Sequence, residues 1–186
     1  MRLGLFRRRT HGAVIDRLHG EIMAAARQPA LYLEHGVADT FEGRFEILAA
    51  IATPTVVRLA KLPAPGPELA QELTDMIFSR FDDALRETGT SDVAVPKKMK
   101  KMAAGWLGRR QAYAEALAAS GDGALRAALS RNVYAGERAP EDAATGRLAA
   151  YVRRVDASQA NFGIDDYMKR PVPFPAAAGG IDGVIG

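Results

Sequence analysis

An all-α, single-domain fold follows from three features of the sequence. Apolar residues recur every three or four positions in several stretches, and none shows the sustained two-residue alternation of a half-buried strand. Prolines and glycines punctuate the chain mostly between those stretches. A balance of 48% hydrophobic and 25% charged residues over 186 positions suits one globular unit with a substantial core.

The first helix is expected over about residues 13 to 27, with Ile15, Leu18, Ile22 and Ala26 along one stripe. Pro29 closes it, because proline disfavours helical geometry in the residue before it. A short apolar turn follows around Leu31 to Leu33. Gly36 is a breaker supplying a backbone angle that a side chain would forbid. Asp39, with Glu42 three residues on, has the spacing of a capping box. A helix should therefore begin at Thr40 and turn Phe41, Phe45, Leu48, Ala52, Val56 and Leu59 to the core. Pro54 removes one of its hydrogen bonds. Pro63, Pro65 and Pro67 make a turn, and Pro67 suits the first turn of the next helix. That helix carries Leu69, Leu73, Met76, Ile77, Phe81 and Leu85 on one face and ends before Gly89. Pro96 marks another start, followed at helical spacing by Met99, Met102, Trp106, Arg110, Tyr113 and Leu117. Gly121 and Gly123 interrupt it, and helical pattern resumes over about 125 to 134 and 141 to 155. Residues 1–11 form a basic N-terminal segment and 12–170 the helical domain. Residues 171–186 form a flexible tail, since Pro-Val-Pro-Phe-Pro followed by alanine and glycine offers little burial to offset its ordering entropy.

Composition excludes several kinds of chemistry. With no cysteine there is no disulfide, thiolate metal site or cysteine nucleophile. His11, His19 and His35 make no close pair of the kind a zinc or iron site on one helix needs, so no metal or other cofactor is expected. The net charge of +3 hides an uneven distribution. Residues 97 to 110 carry Lys97, Lys98, Lys100, Lys101, Arg109 and Arg110 with no acid between them, while residues 68 to 92 hold seven acids against Arg80 and Arg86. The longest apolar run, Ile47 to Val57, is about half the ~20 residues that a bilayer-spanning helix needs. The opening Met-Arg-Leu-Gly-Leu-Phe-Arg-Arg-Arg reverses the order of a signal peptide. Its Leu3, Leu5 and Phe6 beside Arg7, Arg8 and Arg9 suit either an anionic membrane surface or a frayed terminus.

Three patterned blocks carry a resemblance. The first runs from Ala26-Arg27-Gln28-Pro29 through Tyr32 to Gly36, then Asp39-Thr40-Phe41-Glu42-Gly43-Arg44-Phe45-Glu46. The second runs from Leu73-Thr74-Asp75-Met76 through Asp82-Asp83-Ala84-Leu85-Arg86-Glu87 to Gly89. The third is Asp92-Val93-Ala94-Val95-Pro96-Lys97-Lys98-Met99-Lys100-Lys101, continuing to Gly108-Arg109 and Tyr113. Together they make the sequence similar to the ubiquinol-cytochrome c chaperone family, which includes mitochondrial cytochrome b assembly factors and their bacterial relatives. The resemblance implies an all-helical, non-enzymatic assembly chaperone for the cytochrome bc1 complex. It would bind newly made cytochrome b or another bc1 component, with a small helical partner protein and a peripheral contact with ribosome or anionic membrane. A bacterial member would work in the cytoplasm, next to the inner membrane.

Candidate residues follow from both readings. A membrane-protein chaperone needs an exposed apolar groove, and methionine and aromatic side chains repack readily in one. Tyr32, Phe78, Met99, Met102, Trp106 and Tyr113 are the candidates, although periodicity alone assigns each equally to the core. Lys97, Lys98, Lys100 and Lys101, with Arg109 and Arg110, are candidates for an anionic surface, whether ribosomal or lipid. No aromatic interleaves the lysines, so sequence-specific nucleic-acid recognition is not expected. Arg27, Gly36, Asp39, Thr40, Gly43, Arg44, Glu46, Asp75, Asp82, Arg86 and Pro96 are assigned structural roles. Arg44 is expected to be a buried fork between helices, Gly43 to let another helix approach, and Asp82 to pair with Arg86 one turn on. Two alternatives stand beside the chaperone. One is an all-α magnesium-dependent enzyme acting on an isoprenoid diphosphate through Asp82, Asp83 and Glu87, although no second acidic motif accompanies them. The other is a structural interaction module.

Overall fold

The computed structural model describes residues 11–87, 89–91 and 93–178. The expectation for the N-terminal Leu3 to Arg9 lies outside these residues. Among the described residues the chain forms eight helices and no strand: α1 Gly12–Ala26, α2 Pro29–Leu33, α3 Phe41–Lys61, α4 Gly66–Glu87, α5 Ala94–Ala118, α6 Gly123–Asn132, α7 Ala143–Ser158 and α8 Ile164–Lys169.

The helix α3 is the hub, packing against α1, α4, α5 and α7. Every residue from Phe45 to Val56 is buried. A helix apolar on all sides must be surrounded by lipid or by protein, and the eleven-residue run from Ile47 is too short for a bilayer. It becomes a core helix. The single inward stripe expected from sequence therefore widens to the whole circumference. Its polar residues are satisfied locally. Thr53 Oγ1 donates to the Ala49 carbonyl at 2.7 Å. Thr55 Oγ1 and the Tyr167 hydroxyl both donate to Gln159 Oε1, at 2.8 and 2.9 Å, so one buried glutamine joins α3, α7 and α8. Such a network is worth having only because every member finds a partner.

Element boundaries follow helix-end chemistry. Thr40 is the N-cap of α3, its side-chain oxygen accepting from the Gly43 amide at 3.1 Å. Asp39, expected to cap, instead accepts from Arg44 Nε at 2.6 Å. The helix α5 starts at Ala94, two residues before Pro96. A proline in the first turn forfeits no hydrogen bond, because the first four amides of a helix have no intrahelical partner. Gly36 has φ +70, as its breaker role requires, and Gly89, with φ +76, terminates α4 in the left-handed region, whereas α5 ends on an extended Ala119 ahead of Gly121. Gly43 serves a different neighbour from the one expected: a Cβ there would lie 2.0 Å from the Ala38 carbonyl oxygen, so its bareness admits the backbone of the loop leading into α3.

The sequence pattern ends at Val155 and gives no sign of α8, whose six residues are too few for periodicity. Asp166 Oδ2 accepts from the Gly163 amide at 3.0 Å and holds its start. Residues 171–178, assigned by composition to the tail, are fastened to the body. Gln28 Nε2 donates to the Pro175 carbonyl at 3.1 Å while its Oε1 accepts from the Ala177 amide at 2.6 Å. His35 Nε2 lies 2.9 Å from the Ala177 carbonyl, and Val172 and Ala177 are buried. The hold comes from backbone hydrogen bonds to two helices near the start of the chain, which composition does not register.

Candidate functional site

A cleft of about 1010 Å³ opens between α1, the start of α3 and the second half of α4. Its floor is Leu48 and Ile77, both buried, and Met23, Tyr32, Phe41 and Phe81 stand half-buried around it. The space exists because small residues face it: Gly20 and Ala24, one turn apart on α1, and Ala84 on α4. An aromatic ladder braces one wall. Phe81 meets Phe41 edge-on at 5.7 Å and Phe45 at 5.4 Å, and the Arg109 guanidinium lies 5.6 Å from the Phe45 ring centre. Both are favoured geometries for rings and cations. Tyr32 is anchored by its hydroxyl donating to the Ala26 carbonyl at 2.8 Å. Burial pushes its phenol up, against the pull of Arg44.

The rim mixes Arg27, Arg44, Arg80 and Arg86 with Asp39, Asp83 and Glu87. Most of these charges are paired. Arg44 binds Asp39, whose carboxyl that hydrogen bond holds below its usual range. Arg80 Nη1 lies 3.7 Å from Asp83, and Arg86 Nε donates to Asp82 at 2.7 Å as the spacing predicted. Asp75 accepts from Gln71, also one turn away on α4. The acids considered for magnesium are thus engaged by arginines or sit at the rim. No group of three or more His, Asp or Glu able to hold a metal ion occurs among the described residues, and the arrangement lends the diphosphate reading no support.

The candidates divide between surface and interior. Of the six client-contact candidates, Tyr32 lines the cleft. Trp106 and Tyr113 are buried, and Phe78 meets Trp106 edge-on at 5.8 Å, packing α4 against α5. Met99 and Met102 are half-buried on α5. Lys97, Lys98, Lys100 and Lys101 are exposed, while Arg109 turns inward and holds Glu46 of α3 through paired Nε and Nη2 hydrogen bonds. The buried fork expected of Arg44 is therefore made by Arg109, and Arg44 sits at the cleft edge, largely exposed. Burial raises the Glu46 carboxyl above its ordinary value, partly offset by Arg109. A Cβ at Gly105 would fall 2.4 Å from Arg109 Nη1, so this glycine lets the guanidinium fold back along α5. Sequence reasoning passed over Met23, Phe41 and Phe81. The available signal was the pair of small residues on α1, opposite aromatics at a helix start.

The family model described as ubiquinol-cytochrome C chaperone matches residues 33–174, most of the chain. The chain belongs to this family. The crystal structure of the Cbp3 homolog from Brucella abortus is similar to it, with 35% sequence identity and a TM-score of 0.79, covering 95% of this chain and 98% of that one. No curated protein matches. The chaperone family match takes in α3 to α8 and the fastened segment as far as Phe174, well beyond the Tyr113 at which the third sequence block ends. It places most of the cleft, from Asp39 to Glu87, within the shared region.

Proposed function

We propose that this chain is a non-enzymatic assembly chaperone for the cytochrome bc1 complex. Its cleft would hold an apolar segment of a newly made component such as cytochrome b, next to the membrane that component enters. The observation carrying the proposal is an open cleft floored by aliphatic residues and walled by aromatics and Met23, which solvent reaches in the free protein. Burying such surface against a client is favourable at roughly 25 cal/mol per Å², and Met and aromatic side chains adapt to varied sequence. The paired charges at the rim orient a client without demanding an opposite charge from it.

Ala24 is exposed on α1 and lines the cleft, so Ala24→Trp fills it from the solvent side without entering the core. In a strain lacking the gene, the wild-type chain should restore bc1 assembly and co-purify a bc1 component. Ala24→Trp and Met23→Glu should reduce that recovery at least tenfold while melting like wild type. Full assembly supported by both variants would refute the cleft as the client site.

A further inference from the structure

The exposed face of α5 points to a second surface, independent of the cleft. At 3.6 residues per turn, Val93, Lys97, Lys100, Lys101, Ala104 and Leu107 share one side of the helix, opposite the buried Trp106 and Tyr113. Val93 is 89% exposed and Leu107 57%, two of the three large hydrophobics left in solvent among the described residues. No acid occurs between Ala94 and Ala114, and among the described residues no carboxylate pairs with these lysines. The lysines also lie in the first turns, where the helix dipole disfavours positive charge. Left to helix energetics alone, both the charge and the exposed aliphatics are misplaced.

We infer that this face rests on a bilayer surface bearing anionic headgroups. Exposed aliphatic side chains flanked by lysines match an interfacial helix. Val93 and Leu107 enter the boundary between headgroups and acyl chains, and the lysine stems extend so that their ammonium groups reach the phosphates. The small side chains of Ala103, Ala104 and Gly108, all exposed, let the helix lie close. A nucleic-acid backbone would use the lysines but gains nothing from the aliphatic residues, and the face has no aromatic on which bases could stack. The contact is peripheral, since no helix among the described residues is long and apolar enough to cross a membrane.

Flotation of the full chain with vesicles tests this, using phosphatidylcholine alone and phosphatidylcholine with a third phosphatidylglycerol. Each basic residue near such a surface multiplies binding roughly fivefold. Lys→Gln at positions 97, 98, 100 and 101 together should therefore weaken binding to anionic vesicles by nearly three orders of magnitude, while Lys→Arg at the same four should retain it. Leu107→Ser should weaken it several-fold with unchanged salt dependence. All variants keep residues 1–10, so any binding by Arg7 to Arg9 is common to them. Wild-type binding to neutral vesicles equal to anionic ones, or unchanged binding by the four-glutamine variant, overturns the inference. So does a Leu107→Ser variant that binds like wild type while polyuridine competes fully with the vesicles, which would make the face a polyanion site.

Discussion

Replacing Arg109 by Met separates the two roles the sequence left open for it. If Arg109 served an external anion, the fold would be indifferent to the change. In the structure it holds Glu46, and the two side chains are 25% and 11% exposed. Removing one partner of a fully buried pair costs about 3–5 kcal/mol, whereas an exposed pair contributes about 0–1 kcal/mol. Solvent reaches Arg109, so the expected loss is about 2 kcal/mol, the Met stem preserving most of the packing. With a urea dependence of about 2 kcal/mol per M, the unfolding midpoint should fall by about 1 M. The pH dependence supplies a second check. Glu46 titrates above its ordinary 4.5 because burial outweighs the hydrogen bonds from Arg109. Without Arg109 burial acts unopposed, and the folded-state value rises further. A carboxyl raised on folding binds protons more readily in the native state, so its contribution to stability declines as pH rises from 4.5 towards the raised value. The deficit of Arg109→Met relative to wild type should accordingly be larger at pH 7.5 than at pH 5. Adding Glu46→Gln removes the stranded charge and should recover at least half of it. A midpoint equal to wild type, a deficit independent of pH, or no recovery in the double variant would refute the assignment.

Three further substitutions test the geometry at the start of α3, and a fourth on α5 serves as their contrast. Thr40→Ala should lower stability by about 1 kcal/mol, a fall of about 3 °C in Tm, while Asp39→Ala, which loses only an exposed ion pair, should leave Tm unchanged; the opposite result by differential scanning calorimetry would return the cap to Asp39. Gly43→Ala should cost about 3 kcal/mol or more, because its Cβ meets backbone and not a movable side chain. Gly108→Ala, with open space around it, should instead stabilise by about 0.5–1 kcal/mol, both read from urea midpoints.

Local features were legible in the sequence, and those that depend on how helices cross were not. The amphipathic stripes of α1 and α4, the Asp82 and Arg86 pair and the breaker at Gly36 are each decided within a few residues. The exchange of roles between Arg44 and Arg109 is decided by contact between α3 and α5, whose partners Glu46 and Arg109 are 63 positions apart. Both arginines stand close to acids or aromatics once folded, and periodicity has no means of choosing between them. The hub position of α3 was hidden because a stripe analysis asks which side is apolar, when the informative fact was that nearly every side is. The cleft was hidden for a related reason. It is made by what Gly20, Ala24 and Ala84 lack, and pattern reading registers large side chains more readily than missing ones.

The fastening of residues 171–178 has a consequence for how the molecule is made. Gln28 and His35 are synthesised 147 and 142 residues before the carbonyls of Pro175 and Ala177 that they engage. Glu21 likewise waits for the Val172 amide. The hydrogen bonding around α1 and α2 is thereby completed only when a segment far along the chain has been made. A product that stops at Arg170 would leave Gln28 with Tyr151 and Glu21 with Arg17, and would take from His35 Nε2 the carbonyl it faces, so that one flank carries three half-used polar groups.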